Sequence, residues 1–521
     1  MELIHSTVGA QLQKAMQKFG DAPMAVFPDT DVTMTWNDLD RASARFAAAL
    51  LSHGYGKGSH VALLGVKCAE WLAAFFGIIR MGGVVVPFNP AFGAKELPRF
   101  LAKVDTELLV LVEGSGQVDL APLAGALQEA MPALPLVYSG KGTPAGAEVW
   151  ENYNAAAEAI NPAQLSGAEP IAEPQDTFLI VLTTGTTAVP KAVQHNHIAA
   201  LNHSVDYKAI QLQDFIHSDI VPWFHISGIS NMMFCCLNGA CFVCRERFNL
   251  MTAYTDFGTY GCTVCSLVPA LCSAFLAVAA NPQMPRIKLH SVVIGGDRIP
   301  AGLMEAFAQT FGLERTIINY GLAETCAIGT NLIIPGKQPI PDTIGFPNTG
   351  VACKTILPDG SECPVGKEGE MCIRGFNVMQ GYYGDPEGTA ATFTPDGFFR
   401  TGDLCVQNAD GSYRFLGRLK DIIIRKGENI APAEVEAVLL KHPAVKDAAV
   451  FGLPDADTGE SVAAAVISAL ETPPSAEALQ AFCKEQLARY KVPDRFFFVD
   501  AFPQNATGKV DKRALQKRFC A

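Results

Sequence analysis

The first 140 residues alternate between apolar runs and amphipathic stretches in a way that predicts strands separated by helices. Residues 40–50 are rich in alanine and place apolar side chains at i, i+3 and i+4, which predicts a helix. Residues 61–65 and 84–87 are short apolar runs typical of buried strands, and residues 70–80 between them predict a second helix. This order of elements indicates a parallel sheet, because parallel neighbours require a crossover connection.

The same alternation returns from residue 97 to 140, and apolar runs at 178–182 and 291–294 predict two more strands. Residues 142–175 are rich in alanine, proline and glycine, so they predict a connecting region. From residue 344 onward, short alternating strands with glycine and proline turns predict a small antiparallel barrel. The pattern as a whole therefore predicts an α/β protein.

Composition places the chain among globular proteins of more than one domain. Of its 521 residues, 49% are apolar and 18% are charged, and a chain of this length is expected to form at least two domains. The 40 Lys and Arg residues against 52 Asp and Glu residues give a formal net charge of −12. An acidic chain of this kind is not expected to bind nucleic acid.

One stretch is long enough to span a membrane, because residues 220–244 contain no Asp, Glu, Lys or Arg. Pro222, His225 and Asn231 interrupt it, so we interpret it as a buried loop, helix and strand. The N-terminus shows no basic segment followed by an apolar run, so no secretory signal is expected. We therefore expect a cytoplasmic protein without a transmembrane segment.

The 15 cysteines, in a chain without a signal, indicate free thiols in a reducing compartment. The pairs Cys241/Cys244 and Cys262/Cys265 have a spacing found in zinc sites. Each pair lies in an apolar, β-branched run, and residues i and i+3 of a strand point to opposite faces, so the two sulfurs of a pair do not reach one metal ion. We expect buried structural thiols, with a zinc site as the alternative.

A loop rich in hydroxyl groups follows the predicted strand 178–182. Its hydroxyl, glycine and lysine residues are Thr183, Thr184, Gly185, Thr186, Thr187 and Lys191. Many small donors and one mobile cation suit a polyphosphate. The loop is not the G-x-x-x-x-G-K-[ST] motif, because no second glycine precedes Lys191 and Ala192 follows it. An ordinary polar surface loop is the alternative.

His195 and His197 follow this loop as a His-x-His pair, which could be a metal site. Because no third ligand lies nearby, we interpret residues 193–197 as the start of a helix with polar contacts.

Other candidate residues each allow a structural interpretation beside a functional one. His225 lies among apolar residues, as either a core histidine or a ligand contact. Gly295 and Gly296 end a predicted strand, where they suit either a tight turn or the close approach of a ligand. Asp403 follows Gly402, and its carboxylate suits either an Asx turn or the two hydroxyls of a ribose.

Eight stretches resemble, in order, the motifs of the adenylate-forming superfamily of acyl-CoA synthetases, adenylation domains and luciferases. They are T-T-G-T-T-A-V-P-K (183–191), P-W-F-H-I-S-G (222–228), G-G (295–296), N-Y-G-L-A-E (319–324), T-G-D (401–403), G-R-L-K-D (417–421), R-K-G-E-N (425–429) and P-Q-N-A-T-G-K (503–509). Three positions depart from the usual pattern: Ala188 and Ala192 replace glycines, and Ala323 stands where many members have threonine.

The resemblance implies a site for ATP and Mg²⁺. Lys509 corresponds to the catalytic lysine, Glu324 to the magnesium ligand, and His225 to a residue that positions the substrate. The implied ATP contacts are Thr183, Thr184, Gly185, Thr186, Thr187, Lys191, Gly295, Gly296, Asn319, Tyr320, Gly321, Asp403 and Arg418.

The resemblance also implies contacts for the two other substrates. The implied acyl pocket consists of His225, Ser227, Gly228, Cys326, Ala327 and Ile328. The implied CoA contacts are Lys426, Gly427 and Glu428, and Lys420 corresponds to a hinge. Because the pocket residues carry no fixed charge, a fatty or aromatic carboxylate is expected.

The implied fold has a large N-terminal domain, residues 1–418, of two doubly wound sheets plus a small β-barrel, and a small mobile α+β domain, residues 419–521. The implied reaction joins a carboxylic acid to CoA through an acyl-adenylate, with release of pyrophosphate and then AMP. Three alternatives remain: an adenylation enzyme that loads a carrier protein's phosphopantetheine thiol, a luciferase-like oxygenase, and a non-catalytic nucleotide-binding scaffold. Monomer and homodimer are both open.

Overall fold

The structure is a computed structural model of the chain. It describes residues 3–142, 144–155, 171–183, 190–203, 215–296, 299–300, 302–333, 343–426, 428–455, 457–504 and 510–520. The elements up to residue 203 are, in chain order, α1 (Val8–Phe19), β1 (Pro23–Phe27), β2 (Val32–Thr35), α2 (Trp36–Ser52), β3 (His60–Gly65), α3 (Ala69–Arg80), β4 (Val84–Phe88), α4 (Leu97–Lys103), β5 (Leu108–Val112), α5 (Ala121–Ala130), β6 (Leu136–Ser139), β7 (Glu148–Val149), α6 (Trp150–Ala155), β8 (Thr177–Thr183), β9 (Lys191–Asn196) and α7 (His197–His203).

The middle of the chain alternates strands and helices before it becomes mainly β. Residues 215–333 form β10 (Ile216–Ser218), α8 (Ile226–Asn238), β11 (Cys241–Val243), α9 (Leu250–Thr259), β12 (Val264–Leu267), α10 (Pro269–Ala279), β13 (Ser291–Gly295), α11 (Leu303–Phe311), β14 (Arg315–Leu322) and β15 (Cys326–Ile333). Residues 343–418 form β16 (Phe346–Pro347), β17 (Val351–Ile356), β18 (Glu368–Gly375), β19 (Gly381–Tyr382), α12 (Pro386–Ala390), β20 (Phe399–Gln407) and β21 (Tyr413–Arg418).

The C-terminal elements follow a short 3₁₀ helix at Leu419–Asp421. They are β22 (Ile423–Arg425), β23 (Glu428–Ile430), α13 (Pro432–Leu439), β24 (Val445–Asp455), β25 (Gly459–Ser468), α14 (Ala476–Gln486), a second 3₁₀ helix (Arg489–Lys491), β26 (Arg495–Phe498) and α15 (Lys512–Phe519).

Two large mixed sheets form most of the fold. One has eight strands in the order β19-β9-β8-β4-β3-β5-β6-β7, and the other has nine strands in the order β16-β15-β14-β13-β12-β10-β11-β1-β2. Strands β3, β4 and β5 pair in parallel, as do β10 to β14, while β8/β9 and β14/β15 pair antiparallel. The predicted α/β class with doubly wound sheets is therefore confirmed.

The early elements form where the pattern predicts them, for identifiable reasons. Helix α2 begins with a capping box, in which Thr35 accepts from the backbone of Asp38 and Asp38 accepts from the backbone of Thr35. Helix α3 is buried along most of its length, and β4 is buried at all five positions. Phe46 and Phe75, from α2 and α3, enter a core cluster shared by both large sheets. Burial on every side requires the continuous apolar runs seen in the sequence.

One local prediction is wrong. Residues 193–197 were expected to open a helix, yet β9 extends to Asn196 and only then does α7 begin, at His197. The reason is tertiary pairing, because Val193 pairs with Val181 of β8 on one side and with Tyr382 of β19 on the other. Buried Val193 and His195 leave no face of this segment that a helix could expose to solvent.

The charge-free run at 220–244 forms a loop, helix α8 and strand β11, as predicted. Helix α8 ends in Gly239, whose φ of 71° is the left-handed conformation that closes a helix. Across the part of the chain that the structure describes, no helix combines the length and the apolar character needed to cross a membrane. Cys244, Cys262 and Cys265 are buried, and Cys241 is half-buried.

Two smaller sheets complete the molecule. The region predicted as a barrel contains the four-stranded antiparallel sheet β17-β18-β20-β21. The C-terminal region has five strands, in the order β23-β22-β25-β24 with β26 beside β25. This last sheet buries separate clusters on its two faces, one containing Val435 and Val450 and the other containing Phe451 and Leu515. Its cores are therefore its own, distinct from those of the large sheets.

Candidate active site

Strands β20 and β21 place a buried carboxylate next to an arginine. Asp403 pairs with Arg418 across the ladder, and Arg418 Nε lies 2.9 Å from Asp403 Oδ1. Tyr320, at the end of β14, donates its hydroxyl hydrogen to Asp403 Oδ2. The Asp403 side chain is only 1% exposed. We call Tyr320, Asp403 and Arg418 the Asp403 cluster, and its carboxylate is used in tertiary contacts and not in an Asx turn.

The surroundings of the Asp403 cluster favour a neutral Tyr320 phenol. Burial raises the pKa of Tyr320 well above its usual value, and the negative charge of Asp403 raises it further. Arg418 is partly exposed, so the cluster joins a buried anion to a cation at the surface of the site. Such an arrangement presents carboxylate oxygens that accept hydrogen bonds from hydroxyl groups of a ligand.

A second cluster connects β9, β19 and the segment between β14 and β15. Tyr382 donates its hydroxyl hydrogen to Glu324 Oε1 at 3.1 Å, and Lys191 Nζ lies 4.2 Å from the centroid of the Tyr382 ring. We call Glu324, Tyr382 and Lys191 the Glu324 cluster. Burial raises the pKa of Tyr382, and so does the charge of Glu324. The phenol therefore stays protonated and donates.

The strand register explains how these residues meet. Lys191 pairs with Thr183 across β8 and β9, and Val193 of β9 pairs with Tyr382. The backbone amide of Met379 donates to the carbonyl of Glu324 at 2.7 Å, which holds the glutamate beside β19. Sequence reasoning missed Tyr382. A two-residue strand gives no readable register, so no local signal points to it.

His195 fixes the segment that carries Glu324. Its Nε2 lies 2.7 Å from the carbonyl oxygen of Ala323, and its Nδ1 lies 3.9 Å from Cys326 Sγ. Burial lowers the pKa of His195 to about 4, so the ring is neutral, Nε2–H donates to the carbonyl and Nδ1 accepts from the thiol. Burial also raises the pKa of Cys326 to about 12. Sequence reasoning missed this role of His195 as well.

The backbone geometry at the end of β13 explains why residues 295 and 296 are glycines. Gly295 pairs with Asn319 of β14, and a side chain at Gly295 would contact the carbonyl oxygen of Asn319. Gly296 has a φ of 84°, which favours glycine. Gly321 lies near the end of β14. The structure thus brings Asn319 and Tyr320 to the same edge of the sheet as the glycine pair.

The residues expected in the acyl pocket lie at the start of α8 and of β15. His225 directly precedes α8, and Ser227 is exposed in its first turn. Gly228 is buried, and a side chain there would meet the carbonyl oxygen of Pro222, so its small size serves packing of the helix. Cys326 begins β15, and the backbones of Ala327 and Ile328 continue it. Helix α8 packs against β15.

The remaining predicted residues lie near the C-terminal sheet or outside the described residues. Lys420 lies exposed in the 3₁₀ helix, where desolvation lowers its pKa and the charges of Asp403 and Arg513 also act on it. Lys426 follows β22 and Glu428 begins β23; both are exposed, and Lys426 has a φ of 53°. Thr184, Gly185, Thr186, Thr187, Gly427 and Lys509 lie outside the described residues.

A magnesium ion fits the chemistry of one residue. Glu324 offers a half-buried carboxylate that accepts from Tyr382, and carboxylate oxygens are the donors that Mg²⁺ prefers. Within the described ranges, no group of three or more His, Cys, Asp and Glu side chains is arranged to hold a metal ion. The donor set therefore fits an ion that takes most of its ligands from water and a bound phosphate.

Comparison with known proteins supports the family resemblance. Residues 12–383 match the family model described as AMP-binding enzyme, and residues 434–509 match the model of its C-terminal domain. The chain is 32% identical to the putative acyl-CoA synthetase YngI of Bacillus subtilis, over 99% of this chain and 98% of that one. It is 30% identical to the long-chain-fatty-acid–CoA ligase FadD13 of Mycobacterium tuberculosis, over 95% of each chain.

A solved structure agrees with these sequence matches. The o-succinylbenzoate CoA synthetase MenE of Bacillus subtilis, in complex with its acyl-adenylate intermediate, is 28% identical to this chain. It superimposes with a TM-score of 0.78 over 99% of both chains.

Proposed function

The chain belongs to the AMP-binding enzyme family, as an ATP-dependent, AMP-forming carboxylate–CoA ligase, and on that premise we propose that its acid is a fatty or an aromatic carboxylate. The observation that carries this proposal is the lack of charge at the start of α8 and β15. Ser227, Gly228 and Cys326 have no charged side chain. Burial keeps the Cys326 thiol protonated, because it raises the thiol pKa to about 12. A pocket of this chemistry favours an apolar acyl group.

We assign the nucleotide to the two polar clusters. The Asp403 carboxylate would accept from the ribose hydroxyls, with Arg418 beside it and the Tyr320 ring against the adenine. Thr183 and Lys191 would contact the phosphates, together with Thr184, Gly185, Thr186 and Thr187. Asn319, Gly321, Gly295 and Gly296 would line the adenine side of the same edge. Arg418 balances the charge of Asp403, whereas Glu324 and Lys191 each contact the neutral Tyr382 side chain.

In the first half-reaction a carboxylate oxygen of the acid attacks the α-phosphorus of ATP, and pyrophosphate leaves. The reacting groups are all anionic, so the protein's main task is to position them and neutralise charge. Lys509 would bridge the attacking carboxylate and the phosphate, while Lys191 would neutralise the leaving group. His225 would position the acid at the start of α8. Mg²⁺, held by Glu324, would supply further positive charge to the phosphates.

In the second half-reaction the CoA thiol attacks the acyl-adenylate and AMP leaves. We propose that residues 419–521 form a domain that turns about Lys420 relative to residues 1–418. The separate cores of the C-terminal sheet support such a turn. Lys426, Gly427 and Glu428 would then approach the site as CoA contacts, replacing Lys509.

The hinge has its own test. Lys420→Pro would fix the backbone at this position, so we expect adenylate formation to survive and thioester formation from supplied acyl-adenylate to fall at least about tenfold. Lys420→Ala is the control, since it removes the charge and keeps the backbone free. Equal rates of thioester formation in the two variants would contradict the proposed turn of the domain about Lys420.

The reaction and the acid are tested in one assay. Mass spectrometry would follow AMP and thioester in mixtures of ATP and Mg²⁺ with fatty, aryl and short polar acids, each with and without CoA. A CoA-dependent thioester of a fatty or aryl acid is expected. A thioester formed only with short polar acids would overturn the acid class. Acyl-adenylate without a CoA product would point to a carrier-protein acceptor, and no ATP turnover with any acid would contradict the ligase.

A further inference from the structure

A buried polar cluster lies one helical turn beyond the start of the acyl pocket. His217 of β10 approaches Ser266 of β12, with Nε2 and Oγ 3.1 Å apart, and Ser266 donates its hydroxyl hydrogen to Asn231 Oδ1 of α8 at 3.2 Å. We call these three residues the His217 cluster. His217 is 2% exposed and Ser266 is 6% exposed, and Asn231 is half-buried.

The side chains of the His217 cluster lie on the same faces of α8 and of the sheet as other residues of the candidate site. Asn231 follows exposed Ser227 by four residues, so both lie on one face of α8. Ser266 pairs with Val293, two residues before Gly295, which itself pairs with Asn319. Side chains two apart on a strand share a face, so Ser266 lies on the sheet face of Asn319, deeper than the glycine pair. The cluster thus lies between α8 and the sheet, deeper than the glycine pair.

The hydrogen bonds fix the proton positions. Because Ser266 has one hydroxyl proton and donates it to Asn231, the proton between His217 and Ser266 belongs to His217 Nε2. Burial lowers the pKa of His217 to about 4, so the ring is neutral and Nδ1 is a bare acceptor. Among the described residues, neither His217 Nδ1 nor Asn231 Nδ2 has a hydrogen-bond partner, although both atoms are buried. Unpartnered buried polar atoms are costly, which indicates that a ligand group completes them.

The surroundings favour an uncharged ligand group. The nearest charged residue on this sheet face is Asp219, two positions after His217. Trp223 donates its indole N–H to Asp219 Oδ2, and Lys67 Nζ lies 3.8 Å from the same oxygen. The anion and the cation balance each other, so no fixed charge is left for an ionised substrate group.

We propose that the His217 cluster is a specificity site that accepts one uncharged hydrogen-bonding group, a hydroxyl or a carbonyl, on the acyl part of the substrate remote from its carboxylate. The proposal rests on the ligase function proposed above and narrows its substrate class. The substrate would be a fatty or aromatic acid with one such group, and Asn231 Nδ2 would donate to the oxygen of that group. A hydroxyl would in addition donate its hydrogen to His217 Nδ1, whereas a carbonyl would pair only with Asn231. The three residues would set specificity without contacting the reacting atoms.

The test compares matched pairs of acids that differ by one polar group. The probes are 8-hydroxyoctanoate against octanoate, 3-(4-hydroxyphenyl)propanoate against 3-phenylpropanoate, and 7-oxooctanoate against octanoate. Pyrophosphate release gives kcat/KM for each acid with the unaltered protein. We expect at least one polar acid to exceed its apolar partner roughly tenfold or more, because the apolar acid leaves the buried atoms unpaired.

The variants locate the preference. Asn231→Leu and Ser266→Ala should bring the polar-to-apolar ratio close to one, with little loss of kcat for the apolar acid. Ser230→Ala is the matched control: Ser230 is buried in the same helix, but its hydroxyl bonds only to the carbonyl of Ile226. It should leave the ratio unchanged. A role in folding alone would instead lower the rates of both acids and the melting temperature together.

The outcomes separate the two proposals. The specificity site is overturned if the protein turns over acids but prefers no polar acid to its apolar partner. It is also overturned if a preference survives in both variants. Either result leaves the ligase proposal standing. If a variant fails to fold, the ratio measured with the other variant decides. No pyrophosphate release with any acid overturns the ligase proposal, and the specificity site falls with it.

Discussion

The Asp403 cluster and the His217 cluster are both buried and polar, yet they differ in whether their polar atoms already have partners within the protein. Asp403 is already contacted by Tyr320 and Arg418, and its carboxylate oxygens keep further lone pairs that ligand hydroxyls can use. In the His217 cluster, His217 Nδ1 and Asn231 Nδ2 have no partner within the described structure. The first arrangement stabilises the empty protein, and a ligand adds to contacts that already exist. The second leaves a cost that only the correct ligand removes, which favours selectivity over stability.

The largest expected effect comes from a change at Lys509, which should slow adenylate formation equally for acids with and without a polar group. Lys509→Ala removes the positive charge proposed to bridge acid and phosphate, so adenylate formation should fall about 10³-fold or more for every acid. Thioester formation from supplied acyl-adenylate should be nearly unchanged. Lys517→Ala, an exposed lysine of α15, is the control. Equal losses in the two half-reactions would show that Lys509 has a different role.

Low pH should destabilise the folded protein through three buried histidines. Burial lowers the pKa values of His195, His197 and His217 to about 4 each, from 6.5. The unfolded chain therefore binds more protons between these values, and stability falls as the pH drops from about 6.5 to about 4. Each histidine contributes on the order of 3 kcal/mol to this loss. Urea unfolding midpoints at pH 7 and pH 4.5 measure it, and equal midpoints would contradict it.

Asp403→Asn should separate the two clusters. It leaves Arg418 without its carboxylate and weakens the acceptor proposed for the ribose, so the KM for ATP should rise roughly 10- to 100-fold. The preference among matched acids should not change. Asp410→Asn is the control, because Asp410 lies in the turn before β21 and bonds only locally, to Ser412. A shift in acid preference would show that the clusters are coupled.

The smallest effect concerns Tyr382. Tyr382→Phe keeps the ring beside Lys191 and removes the hydrogen bond to Glu324, so the KM for magnesium–ATP should rise about 3- to 10-fold with the maximal rate nearly unchanged. Tyr383→Phe is the neighbouring control, since its hydroxyl donates to Asp105, away from Glu324. If the two variants behave alike, the Glu324 cluster does not position the nucleotide.

The sequence predicted those elements and site residues whose signal lies within a single segment of the chain. Helices α2 and α3 and strands β3 and β4 follow from continuous or periodic burial, which a single segment displays. The motifs also nominated Tyr320, Asp403 and Arg418, which the structure brings into contact although 83 residues separate the first two. Each of these has a distinctive local setting of glycine or neighbouring polar residues.

Residues that act through register were missed. Tyr382, His195, His217, Ser266 and Asn231 meet their partners only because particular strands pair at particular positions. Nothing within five residues of any of them specifies that pairing, so local sequence patterns do not reveal it. The wrong helix at residues 193–197 has the same cause, because β9 is a strand on account of its neighbours on both sides.

The Cys326–His195 pair has a consequence for chemical self-protection. An acyl-adenylate is an electrophile, and a thiolate beside it would capture the acyl group and inactivate the enzyme. Cys326 is buried and its pKa is raised to about 12, so it stays a thiol. His195, with its pKa lowered to about 4, is too weak a base to remove that proton, unlike the histidine of a cysteine nucleophile. The fold thus keeps its own sulfur inert, leaving the incoming thiol without a competitor at this position.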